Sequence, residues 1–507
     1  MNGAIDPRTP CIIGVGAHTW HPEDTGDTGA PEPLEMWQHV ARLAERDAGK
    51  PGVLAALDSI QIVYCQTWEY DDAVARLAAG LGADPRHRYY SGIGGTTTQQ
   101  LVNSTSEAML RGEMDLALIA SAEALATKRL RKRQGERYAA SFAPSERSPF
   151  PWESAPDPIE VAHEVFQAWL TFALFDNARR ARLGTGLDDY RREIGEMLAP
   201  MTQVAARNPH AWYRVERTAA EIADPRPDNR MVGYPYTKYM VSVMDVDMAG
   251  AVVMATHERA DELGVAADRR VYPRGWCYAR DPVLVAEHPD LTRSPAMKGA
   301  SGEALRIADV GVDDLSFLDL YSCFASSLHF ACDALGIRSG DARGLTVTGG
   351  LPYHGGPASG YLTHSIAAMV EQLRAEPEAA GLVSGVGMHM TKHVFGVYSA
   401  TPGTVEPPDA EGVQAAADGA GRAEVIAEHD GDADVSAYSV VHDRDGGPEW
   451  ALLVCDLPGG KRTYAQVRER ALCEAAEASE LVGRKVSLKP QSVDGPMGKA
   501  TVNIATW

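Results

Sequence analysis

Long apolar runs are missing from this chain. No stretch reaches the roughly 18 residues that a bilayer-spanning helix needs, and the N-terminus has no basic segment leading into an apolar one. The expected protein has no membrane span and is cytoplasmic. Cysteine is scarce: Cys11, Cys65, Cys277, Cys323, Cys332, Cys455 and Cys473 are scattered, odd in number and without CxxC spacing. That excludes a disulfide framework and a zinc site of the usual spacing, and no HExxH or comparable carboxylate pattern offers another metal signature. Positive charge is short as well, with 48 Lys and Arg against 69 Asp and Glu, a formal net charge of -21. Nucleic-acid affinity depends on clustered cations, so a general polyanion binder is excluded.

What is present is a globular composition, 45% hydrophobic and 23% charged over 507 residues, long enough for about three domain-sized units. Strand-like and helix-like segments alternate, which predicts an α/β architecture. Buried strands are expected at Pro10 to Gly16, Ser59 to Cys65 and Met114 to Ala120, with a helix at Leu101 to Arg111. A similar order returns with a strand at Leu315 to Leu320, helices at Ala325 to Leu335 and Ile366 to Leu373, and a strand at Gly381 to Gly385. Each stretch has a Gly-Gly turn feeding a helix and then an apolar strand: Gly94-Gly95-Thr96 before Asp115 to Ile119, and Gly355-Gly356-Pro357 before Gly381 to Val383. This predicts an internal duplication. Four units follow: an N-terminal half (1–130), an inserted, lid-like region (131–240) rich in proline, tryptophan and charged helical stretches such as Leu187 to Met197, a C-terminal half (241–400), and a small β-rich domain (401–507). The last begins after Pro402, Pro407 and Pro408 and reads as short strands at Ala437 to His442, Glu449 to Leu457 and Lys461 to Val467, a barrel.

Four groups of residues carry the chemistry. Cys323 and Tyr321 lie in Asp319-Leu320-Tyr321-Ser322-Cys323-Phe324, at a predicted strand-to-helix junction where free N–H groups stabilise negative charge. Tyr321 supplies a phenol for donation to an oxyanion or for acid catalysis. Tyr353 and His354 sit in a glycine- and proline-rich turn, Thr348 to Pro357, and His354 titrates near neutrality in the ordinary way. Ser384 to His393 follows an apolar strand with small residues whose amides can face a developing negative charge, with His389, Lys392 and His393 as further polar groups. Finally, Lys128, Arg129, Arg131, Lys132, Arg133 and Arg137 form a basic run that is either a solvated face or a site for a phosphorylated ligand.

These pieces resemble the thiolases, particularly the sterol-carrier-protein type, over about residues 8 to 400. Met109 to Glu123 looks like the helix and strand after the nucleophile loop. DLYSCFASSLHFACDALGI (Asp319 to Ile337) is similar to the segment with the HDCF motif, HGGPASG (His354 to Gly360) to the GHPxGASG element, and Gly381 to Gly387 stands in the place of CxG. The C-terminal stretch from Ala437 to Gly446 resembles an OB-like domain fused to some thiolase-like proteins, and related barrels accompany acyl-CoA aldolases. The resemblance implies a duplicated thiolase fold, two halves in a layered α/β/α/β/α arrangement, with an inserted loop region and a C-terminal OB-like β-barrel.

The chemistry-bearing positions depart from the family. Ile93 to Thr98 holds no cysteine where thiolases place the acyl-accepting one, Gly385-Val386-Gly387 replaces CxG, and Tyr321 and Ser322 replace the histidine and aspartate of HDCF. Cys323 matches that motif's own cysteine, which is not the acyl carrier. A thiolate intermediate needs a thiol, so ordinary thiolysis is disfavoured. The expected site has Tyr321, Cys323, Tyr353 and His354 as catalytic candidates, the backbone of Gly94, Gly95 and Gly387 as the oxyanion cradle, and Lys128, Arg129 and Arg133 on the phosphates of coenzyme A or an acyl-CoA, with no metal. Two functions follow: an enzyme acting on a carbon-carbon bond near a CoA thioester, by acyl transfer or aldol-type cleavage, or a non-catalytic acyl-CoA-binding or scaffold protein. The resemblance implies a homodimer, and a partner subunit is a further expectation.

Overall fold

A computed structural model describes residues 5–146, 148–151, 156–495 and 498–507. Two segments place glycine on the strand face that meets a helix, and each is followed by the helix that covers it. Pro10–Thr19 runs beneath helix Pro33–Ala48, so closely that a β-carbon at Gly16 would lie 2.8 Å from Leu43 Cβ. Tyr272–Arg280 runs beneath helix Pro295–Ala308, and a β-carbon at Gly275 would lie 2.7 Å from the Ala308 nitrogen. Both helices start with proline, whose missing N–H costs nothing at a first helical turn. The first buries Leu34, Trp37, Val40, Ala41 and Ala44, the three-to-four spacing of one helix face.

The first sheet has the order Pro10–Thr19, Asp247–Thr256, Leu116–Ala124, Ser59–Ile62, His87–Tyr90. Asp247–Thr256 is antiparallel to both neighbours, and the last three strands are parallel. The second sheet repeats this as Tyr272–Arg280, Lys392–Ser399, Ala380–Gly387, Leu315–Asp319, with the same senses and without a fifth strand. The two halves are therefore a duplication. Its register differs from the one expected: Gly94 and Gly95 lie three and two residues before helix Thr97–Leu110, whereas Gly355 and Gly356 lie six and five before helix Tyr361–Ala375.

These two helices form the central layer. Thr97–Leu110 touches both sheets, as does Tyr361–Ala375, which gives five layers with the two outer helices. A helix between sheets buries polar residues only if they are paired. Gln99 donates to Asn103 (2.9 Å) and accepts from Tyr398 (2.7 Å), and Gln61 donates to Thr105 (2.7 Å).

The boundary expected at 240/241 cuts the first sheet, because strand Asp247–Thr256 fills the slot between Pro10–Thr19 and Leu116–Ala124. The insertion separates this pair of strands. Its equivalent in the second half is the turn Met388 to Thr391, whose Met388 and Met390 adopt positive φ. Helices Ala168–Leu183 and Leu187–Arg207 dominate the insertion.

In the C-terminal region Gly431–His442, Pro448–Leu457, Lys461–Val467, Gly498–Thr506 and Lys485–Gly495 pair in a closed ring of five strands, with helix Arg470–Ala478 between the third and fourth in sequence. This is an OB-like barrel. It docks on the insertion: Gly233 pairs with Val441, Asn177 donates to the Tyr438 carbonyl (2.8 Å), and Arg180 forks Glu480 (2.6 and 2.9 Å). Among the described residues no helix is long and apolar enough to cross a membrane.

Candidate active site

The two central helices begin next to each other. The Gly94 N–H, just before the first, donates to the Ser359 hydroxyl, just before the second, at 3.0 Å. Each start carries N–H groups without helical partners and the positive end of a helix dipole, so two electropositive ends converge on one place. Ala358 holds φ at +45° there, a left-handed conformation that an alanine rarely adopts.

Tyr321 enters this junction from the end of strand Leu315–Asp319. Its N–H donates to Ser384 Oγ (3.0 Å), and its ring meets that of Tyr361 edge-on at 5.6 Å. A β-carbon at Gly95 would press against the Val386 carbonyl and the Tyr321 phenol oxygen, and would lie 2.7 Å from Tyr321 Cζ. The phenol fills the space a side chain at 95 would need. Gly385 faces the Gly95 carbonyl, 3.1 Å from its own would-be β-carbon. The Gly387 position faces Thr96 Oγ1 (3.3 Å) and the Lys392 side chain (3.4 Å). Lys392 is only 4% exposed, and its Nζ lies 4.0 Å from where a β-carbon of Gly94 would be. Tyr321, Gly94, Gly95 and Gly387 thus come together. Sequence reasoning did not single out Ser359, and it named Lys392 only as a further polar group beside His389 and His393. Ser359 lies within HGGPASG, where only His354 was picked out, and Lys392 is one of three polar groups after the apolar strand with nothing local to choose among them.

Burial, with the Cys323 thiol beside it, raises the Tyr321 pKa far above that of an ordinary phenol. The group stays protonated and serves as a donor. Burial also pushes the Cys323 thiol up to about 12, and its sulfur rests 3.6 Å from Ser327 Oγ. This is a neutral packing thiol.

The other expected residues face other surroundings. His354 is buried with its ring 5.9 Å from Tyr361 and 5.2 Å from His364, and Tyr361 is also the ring that meets Tyr321. Burial, with only a long 3.4 Å contact to the Gly355 carbonyl opposing it, pulls its pKa down to about 3. Near neutral pH it is an uncharged imidazole. The Tyr353 hydroxyl is buried without a partner among the described residues, and Arg217 of the insertion is the charge it feels. Lys128, Arg129 and Arg133 sit on helix Leu125–Arg133. Lys128 donates to the Gln66 and Thr67 carbonyls (3.1 and 2.9 Å), and Arg129 is ion-paired with Asp245. Arg129 and Arg133 line a cavity of about 420 Å³ that also holds Asp27 and Asp247 and shares no lining residue with the Gly94 junction. A larger cavity, about 610 Å³, opens at the first turn of helix Thr97–Leu110, between Gly92, Thr97, Gln100 and Trp276.

Duplicated halves, five layers and paired helix starts at one junction define a protein of the thiolase superfamily. The human mitochondrial 3-ketoacyl-CoA thiolase in complex with CoA matches with a TM-score of 0.56 and 14% identity, over 78% of this chain and 98% of that one. The Ltp2-ChsH2(DUF35) aldolase matches with a TM-score of 0.59 and 16% identity over the same shares. At these identities the likeness is one of fold. A monomeric SCP2-thiolase like protein type 1 from Mycobacterium smegmatis matches with a TM-score of 0.85 and 30% identity, over 99% of this chain and 100% of that one. This chain belongs to the SCP2-thiolase-like proteins of type 1. No protein-family model matches it.

Proposed function

We propose that this protein is an acyl-CoA enzyme that acts on the carbon-carbon bond next to a CoA thioester without a cysteine nucleophile, by aldol-type cleavage. The observation that carries the reading is the Tyr321 phenol at the junction of two helix starts, in the space a side chain at position 95 would take. A protonated donor and two electropositive helix ends suit an enolate, and with no cysteine in Ile93 to Thr98 there is no thiolate there to form an acyl-enzyme. With a 3-hydroxyacyl thioester, the C2–C3 bond breaks with its electron pair moving to C2. Tyr321 gives its proton to C2, and the C3 hydroxyl proton passes to the phenolate, leaving a carbonyl compound and a shortened acyl-CoA. Lys392 and the helix starts hold the negative charge that develops on the thioester oxygen. Gly95 is the backbone donor this reading favours, since the Gly94 N–H is already given to Ser359. An aldolase and a CoA complex among the matched folds fit the substrate class.

Tyr321→Phe tests this. Turnover of a 3-hydroxyacyl-CoA should fall about a hundredfold or more while CoA affinity by calorimetry stays the same. Unchanged kinetics would remove Tyr321 from the mechanism. A second reading, an acyl-CoA-binding protein without turnover, is favoured by the engaged Gly94 amide. Saturable CoA binding with no product from any thioester would establish it.

A further inference from the structure

A cavity of about 310 Å³ lies against helix Tyr361–Ala375, lined by His364 and Ala367 of that helix and by His354, Arg207 and His210. It mirrors the 610 Å³ cavity on the first central helix: counted from the two helix starts, Gln100, Ser104 and Glu107 correspond to His364, Ala368 and Glu371. In the second half the alanines make room, and a histidine stands in the recess.

His364 is 2% exposed, and neither ring nitrogen has a partner among the described residues. A buried imidazole in that state is costly unless a bound group answers it. The His354 ring, edge-on at 5.2 Å, borders the same space. Arg207, exposed on the long insertion helix, makes no ion pair or hydrogen bond among the described residues. Those residues also contain no group of three or more His, Cys, Asp or Glu side chains arranged to hold a metal ion.

We propose that this cavity binds a small oxyanion, a carboxylate or a phosphate, held by the Arg207 guanidinium at the mouth and by a ring N–H of His364 inside. A guanidinium presents a planar fork that matches two anionic oxygens. Burial and the neighbouring histidines keep the His364 ring neutral, so it offers one N–H, whereas the His354 N–H is turned to the Gly355 carbonyl. Glu371, also lining the cavity, opposes an anion that does not reach Arg207. Such a volume suits a ligand at the small end of known sites. The inference does not rest on the Tyr321 reading, since the cavity is lined by none of Tyr321, Gly94, Gly95, Ser359 or Lys392.

The test is calorimetric titration of the full chain with inorganic phosphate and, separately, with succinate, for wild type, Arg207→Gln and His364→Leu. Saturable binding of at least one probe is expected, weakened about tenfold or more in Arg207→Gln and lost in His364→Leu. Binding of phosphate alone identifies a phosphorylated ligand, and of succinate alone a carboxylate. Absence of saturable heat from both probes, or equal affinity in wild type and Arg207→Gln, overturns the proposal. Arg207 is exposed, so its variant carries the test even where His364→Leu fails to fold.

Discussion

Gly95 and Tyr321 belong together, because one side chain occupies what the other lacks. A cysteine placed at 95 would have its β-carbon forced against the Val386 carbonyl, which is backbone and cannot swing away. Gly95→Cys is expected to destabilise the protein by about 1 to 3 kcal/mol, the usual range for overpacking, and to form no acyl-enzyme with acetoacetyl-CoA. Chemical denaturation measures the first, and intact-protein mass spectrometry the second. A stable variant that becomes acylated would show that the junction has room for a nucleophile. Position within motifs was readable from the sequence at Tyr321 and the glycines, since strand ends and helix starts recur in order. Ring direction was not. His354 is close to the junction along the chain, yet its side chain lines a different cavity, with His364 and Arg207, and only tertiary packing settles that.

Helix Leu125–Arg133 shows how a charge run is reshaped by its surroundings. Arg129 is taken up by Asp245 and Lys128 by two carbonyls, whereas Arg133 makes no hydrogen bond or ion pair among the described residues. Of the three residues expected on coenzyme phosphates, Arg133 is thus the one whose charge is left for a ligand. Arg133→Gln should then weaken CoA binding about fivefold at low salt and flatten its salt dependence, as measured by titration at two ionic strengths. Identical affinities at both would mark a solvated face. Strand Asp247–Thr256 was not legible as part of the first half, because the chain leaves that sheet at Ala124 and returns only after the whole insertion. Alternation along a sequence reports local structure, and long-range pairing leaves no local mark. The core strands themselves were legible, since both faces are covered and their residues are nearly all apolar or small.

At the scale of the whole molecule, the insertion joins core and barrel. Glu160, on the short helix Pro158–Ala162, accepts from the Tyr464 hydroxyl of the barrel (2.6 Å) and from the Val285 amide of the core (2.9 Å). Burial raises its carboxyl from 4.5 to about 7. The folded state therefore holds this proton more tightly than the unfolded chain does, so its contribution to stability is full below 4.5 and is lost as pH rises towards 7. Glu160→Gln keeps a hydrogen-bonding group without the titration. Its denaturation midpoint should fall less than that of wild type between those pH values, and parallel profiles would contradict the assignment. The barrel was legible from short strands and turns, but its attachment through Gly233 was not, because that strand lies inside a region that read as a lid.

The central claim is carbon-carbon bond chemistry on a thiolase fold without covalent catalysis. The most direct test is mass spectrometry of both small molecules and intact protein after incubation with free CoA and a panel of acyl-, 3-oxoacyl- and 3-hydroxyacyl-CoA thioesters. A shortened acyl-CoA and its carbonyl partner from a 3-hydroxyacyl-CoA, with the protein mass unchanged throughout, is the predicted result. An acyl adduct on the protein, or no product from any thioester while CoA binds, would contradict it.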